Sequence, residues 1–395
     1  MIREGRPIAS HPALHGARAA VRSEAMARDP RPEMPQAVGD RGRSREGDPP
    51  RGRLGEAVEM AALRAGVALV GTLPHARATA LGAALGAAWG EAARRLRTRR
   101  HRIAELNLEI AFPEMSAAAR DGIRRAMWRN WGRVLADVAR LPRLDAEGLR
   151  DIVRLDRREG AVEIFRRARD GGSIVLTAHF GSFELLHAGC AAHGFPITLV
   201  HRTLPNRRAD QWLTDLRERC GSRVLRRGAA ARDILRELRS GRVVALPFDQ
   251  RPPAGSAGFA PFFSLPPATN SAVARLALAS GAPVFPVVLV REGASHRHRA
   301  VFGDAIEPAR TGDRDADVLE NTRRFNAALE ALVRAHPDHW IWMYSRWKRL
   351  PGGLVSPYRR DAPPLAAYRA ASAAFLASQP AAAGEPAAAP SERRG

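Results

Sequence analysis

Lysine is almost absent. Among 63 lysines and arginines in 395 residues, Lys348 is the only lysine, so nearly all the positive charge is guanidinium. A background that has turned every other cation into arginine, yet leaves one ammonium, points to a role that a planar fork fills poorly. A compact contact with phosphate is such a role. Cysteine is scarce too. Cys190 and Cys220 form no CxxC pair and no ligand spacing, which reads as structural burial in a reducing compartment. No HExxH or comparable triplet is present, so a metal centre at His179, Glu184 and His187 has no standard spacing behind it. Long uncharged apolar runs are missing. Glu59 and Arg64 interrupt the stretch 57–73, and its uncharged part falls short of the roughly 20 residues a spanning helix needs.

What is there is charge and chain length. The formal net charge is +22 and the pI about 11.5. That balance invites a nucleic-acid reading, but the arginines are scattered along every segment and no cluster interleaves them with aromatics. An anionic membrane surface or an acidic protein partner explains the excess as well, and no nucleic-acid partner is expected.

The chain divides by composition into four parts. Residues 1–53, rich in Arg, Pro and Gly without apolar periodicity, read as a disordered extension with no secretory core. Residues 54–142 form a helical membrane-anchoring and packing region. Within it, 57–73 and the Ala/Gly-rich 80–88 suit an amphipathic or half-inserted anchor, or equally a buried Ala-rich helix pair. The basic run 94–100 lies beside them, where anionic headgroups would meet it. Residues 143–360 are the α/β part, and 361–395 an Ala/Pro-rich, frayed tail.

Helical spacing marks 101–110 and 116–141, separated by the Phe112-Pro113 break. Beyond Pro142 short strands alternate with helices. Strands are expected at 174–177, 197–202, 223–225, 243–248 and 284–291, with 298–306 as an edge strand. Helices are expected at 183–192, 209–219, 230–240, 270–280 and 315–335. This pattern predicts an α/β sandwich around a mainly parallel sheet, preceded by the membrane-associated helical segment.

Ligands in such sheets sit beyond the carboxyl ends of the strands. His179 ends one strand, Arg202 the next apolar one, and Asp249 with Gln250 a third. His179 also falls five residues before Glu184 in HFGSFE. With the histidine at a strand end and the glutamate in the first helical turn, the carboxylate can fold back onto the imidazole. An imidazole so held keeps one tautomer and becomes a better base for a hydroxyl. A histidine near a strand end can also be merely structural.

Two aromatic stretches complete the inventory. In 258–270, Phe259, Phe262 and Phe263 stand among prolines, either as core lids or as lining of an apolar acyl channel. In 337–351, Trp340, Trp342 and Trp347 accompany Arg346 and Lys348, which suits a membrane interface or a phosphorylated headgroup. The alternative is a terminal segment packed on the sheet.

Taken together, these blocks resemble the lipid A biosynthesis lauroyl/myristoyl acyltransferase family, a branch of the lysophospholipid acyltransferase superfamily. The resemblance covers residues 54–358. It is carried by NLEIAFPEMS (107–116), HFGSFE (179–184), the HR pair His201-Arg202, PFDQRP (247–252), the APFF…PPAT loop and WIWMYSRWKRLPGG (340–353). Ser182 and Phe183 stand where many relatives have Asn and Trp, and Tyr344 where many have His.

The resemblance implies that His179 deprotonates an acceptor hydroxyl, which attacks an acyl thioester on acyl carrier protein or coenzyme A. Glu184 would orient it, with no metal, cofactor or covalent acyl-enzyme. Arg202, Asp249, Gln250, Arg346 and Lys348 are the expected acceptor-binding residues. A lipid A precursor is the expected acceptor, another glycolipid such as a phosphatidylinositol mannoside the alternative. The implied location is the cytoplasmic face of a bacterial inner membrane. From a different class, the chain could be a non-catalytic basic binder of membranes or nucleic acid.

Overall fold

The computed structural model describes residues 53–201, 203–226, 230–252 and 257–379. Arg202, residues 1–52 of the expected extension and 380–395 of the expected tail lie outside the described residues.

Four helices come first: α1 (Arg53–Thr72), α2 (His75–Arg95), α3 (Arg99–Ala111) and α4 (Ala117–Arg140). Thr98 caps α3 and Ser116 caps α4, each side chain accepting a first-turn N–H. On α2, Gly82, Gly86 and Gly90 recur every fourth residue and so share one face. That face lies against α4. A Cβ on Gly82 would come 2.5 Å from the Gly132 carbonyl oxygen, and one on Gly86 2.2 Å from that of Trp128. The two backbones touch, which only glycine permits. Outside this seam, Leu81, Leu85 and Trp89 of α2 are exposed, as are Val58 and Leu69 of α1. No helix among the described residues is long and apolar enough to cross a membrane.

The α/β part follows. It opens with α5 (Ala146–Ile152), β1 (Val153–Leu155), α6 (Arg158–Arg169), β2 (Ser173–Thr177) and α7 (Phe183–Ala192). Next come β3 (Thr198–His201), α8 (Arg207–Arg219), β4 (Arg223–Arg226), α9 (Ala230–Arg239) and β5 (Val243–Pro247). A separate antiparallel pair, β6 (Ala257–Phe259) and β7 (Ala268–Asn270), leads to α10 (Ala272–Ser280). The chain closes with β8 (Val284–Arg291), β9 (His298–Phe302), α11 (Arg314–Ala335) and α12 (Leu365–Ala377).

Seven strands form one sheet in the order β1-β9-β8-β2-β5-β3-β4, parallel except between β8 and β9. Its central strands are continuous apolar runs because helices cover both faces. Ile174, Leu176, Val244 and Leu246 face one core with Trp340 and Phe325, while Val175, Val243 and Ala245 face the other with Leu185 and Leu216. The mainly parallel α/β architecture expected from sequence is therefore present. Two details differ. β9 is not the edge, because the three-residue β1 pairs outside it. The supposed frayed tail contains α12, whose Tyr368 and Ser372 are buried one turn apart and dock it on the core.

Candidate active site

β2 and β5 are parallel neighbours in register, with Thr177 opposite Pro247. Two residues further along each strand stand His179 and Asp249. The register thus delivers an imidazole and a carboxylate side by side at the carboxyl end of the sheet. His179 Nδ1 donates to Asp249 Oδ1 at 2.9 Å, and the His179 backbone N–H donates to Oδ2 at 3.1 Å. The Trp340 indole N–H also donates to Oδ2, at 3.1 Å. Three donors on one buried carboxylate hold it ionised. Burial alone would push the Asp249 pKa up, but these contacts bring it below the usual range.

The imidazole is pulled both ways. Burial lowers its pKa, and the Asp249 carboxylate outweighs that, so His179 lies above the ordinary value of 6.5. With Nδ1–H committed to Asp249, Nε2 is the basic nitrogen. Its lone pair accepts from the Gln250 side-chain amide at 3.3 Å, and the His179 side chain keeps 28% of its surface exposed. A buried orienting acid and a partly exposed imidazole are components of a general base.

The loop after His179 is tied down residue by residue. Phe180 bridges to Trp340. Gly181 has φ +52 and donates its N–H to the His339 carbonyl at 2.9 Å, and a Cβ there would meet the Leu289 carbonyl at 2.3 Å. The Ser182 hydroxyl donates to Asp137, a fully buried carboxylate on α4 that also takes the Arg291 guanidinium. Asp137, His298 and His75 lie together here, with His298 Nε2 3.4 Å and His75 Nε2 3.7 Å from the carboxylate. No motif in the sequence marked this group, because its members come from four separate elements.

The expected contact between Glu184 and His179 is not made. Glu184 lies in the first turn of α7, where it accepts from His187 Nε2 at 3.1 Å and from Arg217 Nε at 3.0 Å. These donors, set against the cost of burial, lower its pKa to about 2. Arg217 continues to His201 Nδ1 at 2.8 Å, and His201 Nε2 reaches Asp210 at 2.6 Å. The reason is geometric. Ser182 turns the chain before the helix begins, and the α7 axis carries Glu184 towards α8. Its charge still acts on His179 through space, adding to the upward pull.

The other expected residues divide. Gln250 joins the site. Arg346 does not face an acceptor: it is buried, donating to the Ala268 carbonyl at 2.7 Å and to Thr269 Oγ1 at 2.8 Å, and burial brings its pKa down to about 10. Lys348 is exposed. Trp340, Trp342 and Trp347 do not meet a membrane interface; all three are buried in one aromatic cluster. Phe262 is inside the same cluster, 4.9 Å from the Phe263 ring and 5.6 Å from that of Trp340. Phe263 packs on Phe112, and Phe259 on Phe375 of α12. The loop is therefore core lid, with Phe262 wholly enclosed.

Asn107 ties the 107–116 block to the tryptophan block. Its amide donates to the Trp342 and Tyr344 carbonyls at 2.6 and 2.7 Å.

The chain matches the family model for bacterial lipid A biosynthesis acyltransferases over residues 56–349. It is 27% identical over 280 residues to the lipid A biosynthesis myristoyltransferase of Escherichia coli (strain K12), a match spanning 69% of this chain and 82% of that protein. The palmitoleoyltransferase of the same organism is 27% identical over 286 residues, spanning 69% of this chain and 87% of that protein. The lauroyltransferase is 27% identical over 289 residues with the same coverage.

Proposed function

The chain belongs to the bacterial lipid A biosynthesis acyltransferases, and on that premise we propose that it moves a fatty acyl chain from a carrier thioester to a hydroxyl of a lipid A precursor, with His179 as general base and Asp249 as its orienting acid. The single observation that carries the mechanism is the Asp249–His179 pair at the end of β2 and β5, with the imidazole 28% exposed. Nε2 takes the proton of the acceptor hydroxyl as its oxygen bonds to the thioester carbonyl carbon. The carbon–sulfur bond then breaks, and the imidazolium returns the proton to the departing thiolate. Asp249 keeps the tautomer and stabilises the imidazolium, the role a buried carboxylate fills in hydrolytic triads. The acceptor hydroxyl displaces the Gln250 amide from Nε2, and Glu184 contributes charge from a distance while pinning α7 to α8.

The donor is acyl carrier protein or coenzyme A. An acidic carrier fits a chain of net charge +22. Docking on the cytoplasmic face of the inner membrane rests on the stripe Leu81, Leu85 and Trp89, exposed by 41%, 60% and 53% on one face of α2. The test is transfer by the purified full chain with lauroyl, myristoyl and palmitoleoyl donors on each carrier, read as a mass gain of the acceptor lipid. Acceptor mass unchanged with every donor, from a folded protein, would overturn the proposal.

A further inference from the structure

The α2–α4 pair carries a cleft that shares no residue with the His179 site. It is a cavity of about 220 Å³, lined by Gly90 and Glu91 of α2 and by Arg124, Arg125, Trp128 and Arg129 of α4. At about 30 Å³ of liquid volume per water, it has room for a phosphoryl group and several waters. Trp128 sits nine residues before Asp137 on the same helix, about 13 Å along the axis at the rise of an α-helix.

The charge of the cleft is unbalanced in one direction. Asp121 is a single carboxylate serving two guanidiniums, Arg124 and Arg125. Glu91 likewise serves Arg94 and Arg95, and those contacts, set against slight burial, lower its pKa to about 2. Arg129 has no ion-pair partner among the described residues. The lining of the cleft therefore carries three guanidiniums and one carboxylate, Glu91. A second observation is independent of charge. The Trp128 indole N–H is buried and has no hydrogen-bond partner among the described residues. The ring cannot retreat, because it lies on α2 so closely that a Cβ at Gly90 would be 2.6 Å from its Cγ. An N–H held without a partner is costly, and Trp128 lines the cleft.

Position says where the anion comes from. Trp89 packs at a tilt against Trp128 with ring centroids 5.8 Å apart, so the cleft lies next to the exposed Leu81, Leu85 and Trp89 stripe. We propose that this cleft is a phosphoryl-binding site, occupied by the headgroup of an anionic lipid when the stripe beside it lies in the acyl layer. The inference rests on the membrane-docking part of the proposed function. It adds a fixed point of attachment, separate from the acceptor, that orients the sheet's carboxyl end to the bilayer.

The test uses the full chain, phosphatidylcholine vesicles with and without phosphatidylglycerol, and inorganic phosphate against chloride at equal ionic strength. Arg129→Gln is compared with Arg239→Gln, which removes the same charge from an exposed position on α9. Co-sedimentation with phosphatidylglycerol vesicles is expected to weaken about fivefold for Arg129→Gln, the worth of one cation near an anionic surface. For Arg239→Gln the loss should stay below about twofold, and on pure phosphatidylcholine the two should bind alike. Phosphate should raise the melting temperature of the wild type more than that of Arg129→Gln. Equal losses for the two arginine variants, with phosphate protecting wild type and Arg129→Gln alike, would mean diffuse charge and overturn the site. Protection by phosphate without any vesicle difference would overturn the headgroup and leave a site for free phosphate. Leu85→Glu separates the underlying reading: undiminished vesicle binding by that variant would remove membrane docking by α2 itself.

Discussion

Two histidines eight residues apart in the sequence, His179 and His187, each pair with a carboxylate, and the structure uses the two pairs oppositely. His179 with Asp249 joins residues 70 apart, at the ends of two adjacent strands, and leaves the imidazole 28% exposed. His187 with Glu184 joins residues one helical turn apart, and both side chains are about 5% exposed. The second pair is saturated. Glu184 holds His187 and Arg217, and His187 Nδ1 meets Ser222 Oγ at 2.8 Å. In the first pair the second ring nitrogen meets the neutral Gln250 amide at 3.3 Å, on a partly exposed ring. The two pairs thus differ in how firmly the second ring nitrogen is engaged and how open the ring is, and spacing along the chain reports neither.

The sharpest way to break the comparison is to remove the exposed imidazole. His179→Ala should lower turnover by about 10²–10⁴-fold, the worth of a general base, while the melting temperature stays close to wild type. Near-normal transfer by the folded variant would end the assignment. Asp249→Asn comes next, because the amide can offer its nitrogen to Nδ1 and lose the tautomer; a loss of about 10²-fold or more is expected. Its pH profile is the more telling readout. In the wild type, activity should rise with pH through a limb above 6.5, since the raised pKa of His179 must be passed before Nε2 is neutral. Removing the carboxylate leaves burial dominant, so the limb should move to lower pH even as the plateau falls.

The saturated pair should respond in stability. Glu184→Gln leaves the Arg217 guanidinium, itself 12% exposed, without its carboxylate, at about 3 kcal/mol for a broken buried pair. Per folded molecule the rate should fall less than in Asp249→Asn. The pH dependence has a defined sign. The Glu184 pKa is depressed from 4.5 to about 2, so its stabilisation is complete above 4.5 and is lost as pH falls towards 2. Acid unfolding followed by circular dichroism should be flatter over that window in Glu184→Gln. An unchanged melting temperature together with a rate loss equal to that of Asp249→Asn would make Glu184 the orienting acid after all.

Much of this was legible in the residues. Strands, helices and the three polar strand ends follow from apolar runs and turn residues, and His179, Asp249 and Gln250 were each marked. What could not be read was adjacency. β3 and β4 lie between β2 and β5 in the chain, yet β5 inserts beside β2 in the sheet, and hydrophobic periodicity carries no information on strand order. The local candidate, Glu184, therefore stood in for the distant one. Tryptophans beside cations were ambiguous for another reason: Trp340, Trp342 and Trp347 bury their rings and satisfy their N–H groups internally, which composition cannot distinguish from an interface. β1 was too short to show a period, and α12 buries only a narrow stripe in an Ala-rich run.

The smallest effect concerns Lys348, which sits exposed in the same block that buries Arg346. The contrast between the two cations is one of exposure and commitment. Arg346 has committed its terminal nitrogens to Ala268 and Thr269, whereas the ammonium is available to a phosphate of the acceptor. Lys348→Arg keeps the charge, so attraction to an anionic surface should hardly change. It replaces a compact ammonium with a longer planar fork, so the expected result is a few-fold rise in apparent KM for the phosphorylated acceptor. An interaction held equally in ground and transition state alters KM and leaves kcat alone, and the acyl donor should be unaffected. Lys348→Ala should raise KM further, because the phosphate loses a charge-assisted bond. Measuring both variants on acceptors with and without that phosphate isolates the contact. Identical kinetics of wild type and Lys348→Arg on the phosphorylated acceptor would make the single lysine an accident of an arginine-rich composition.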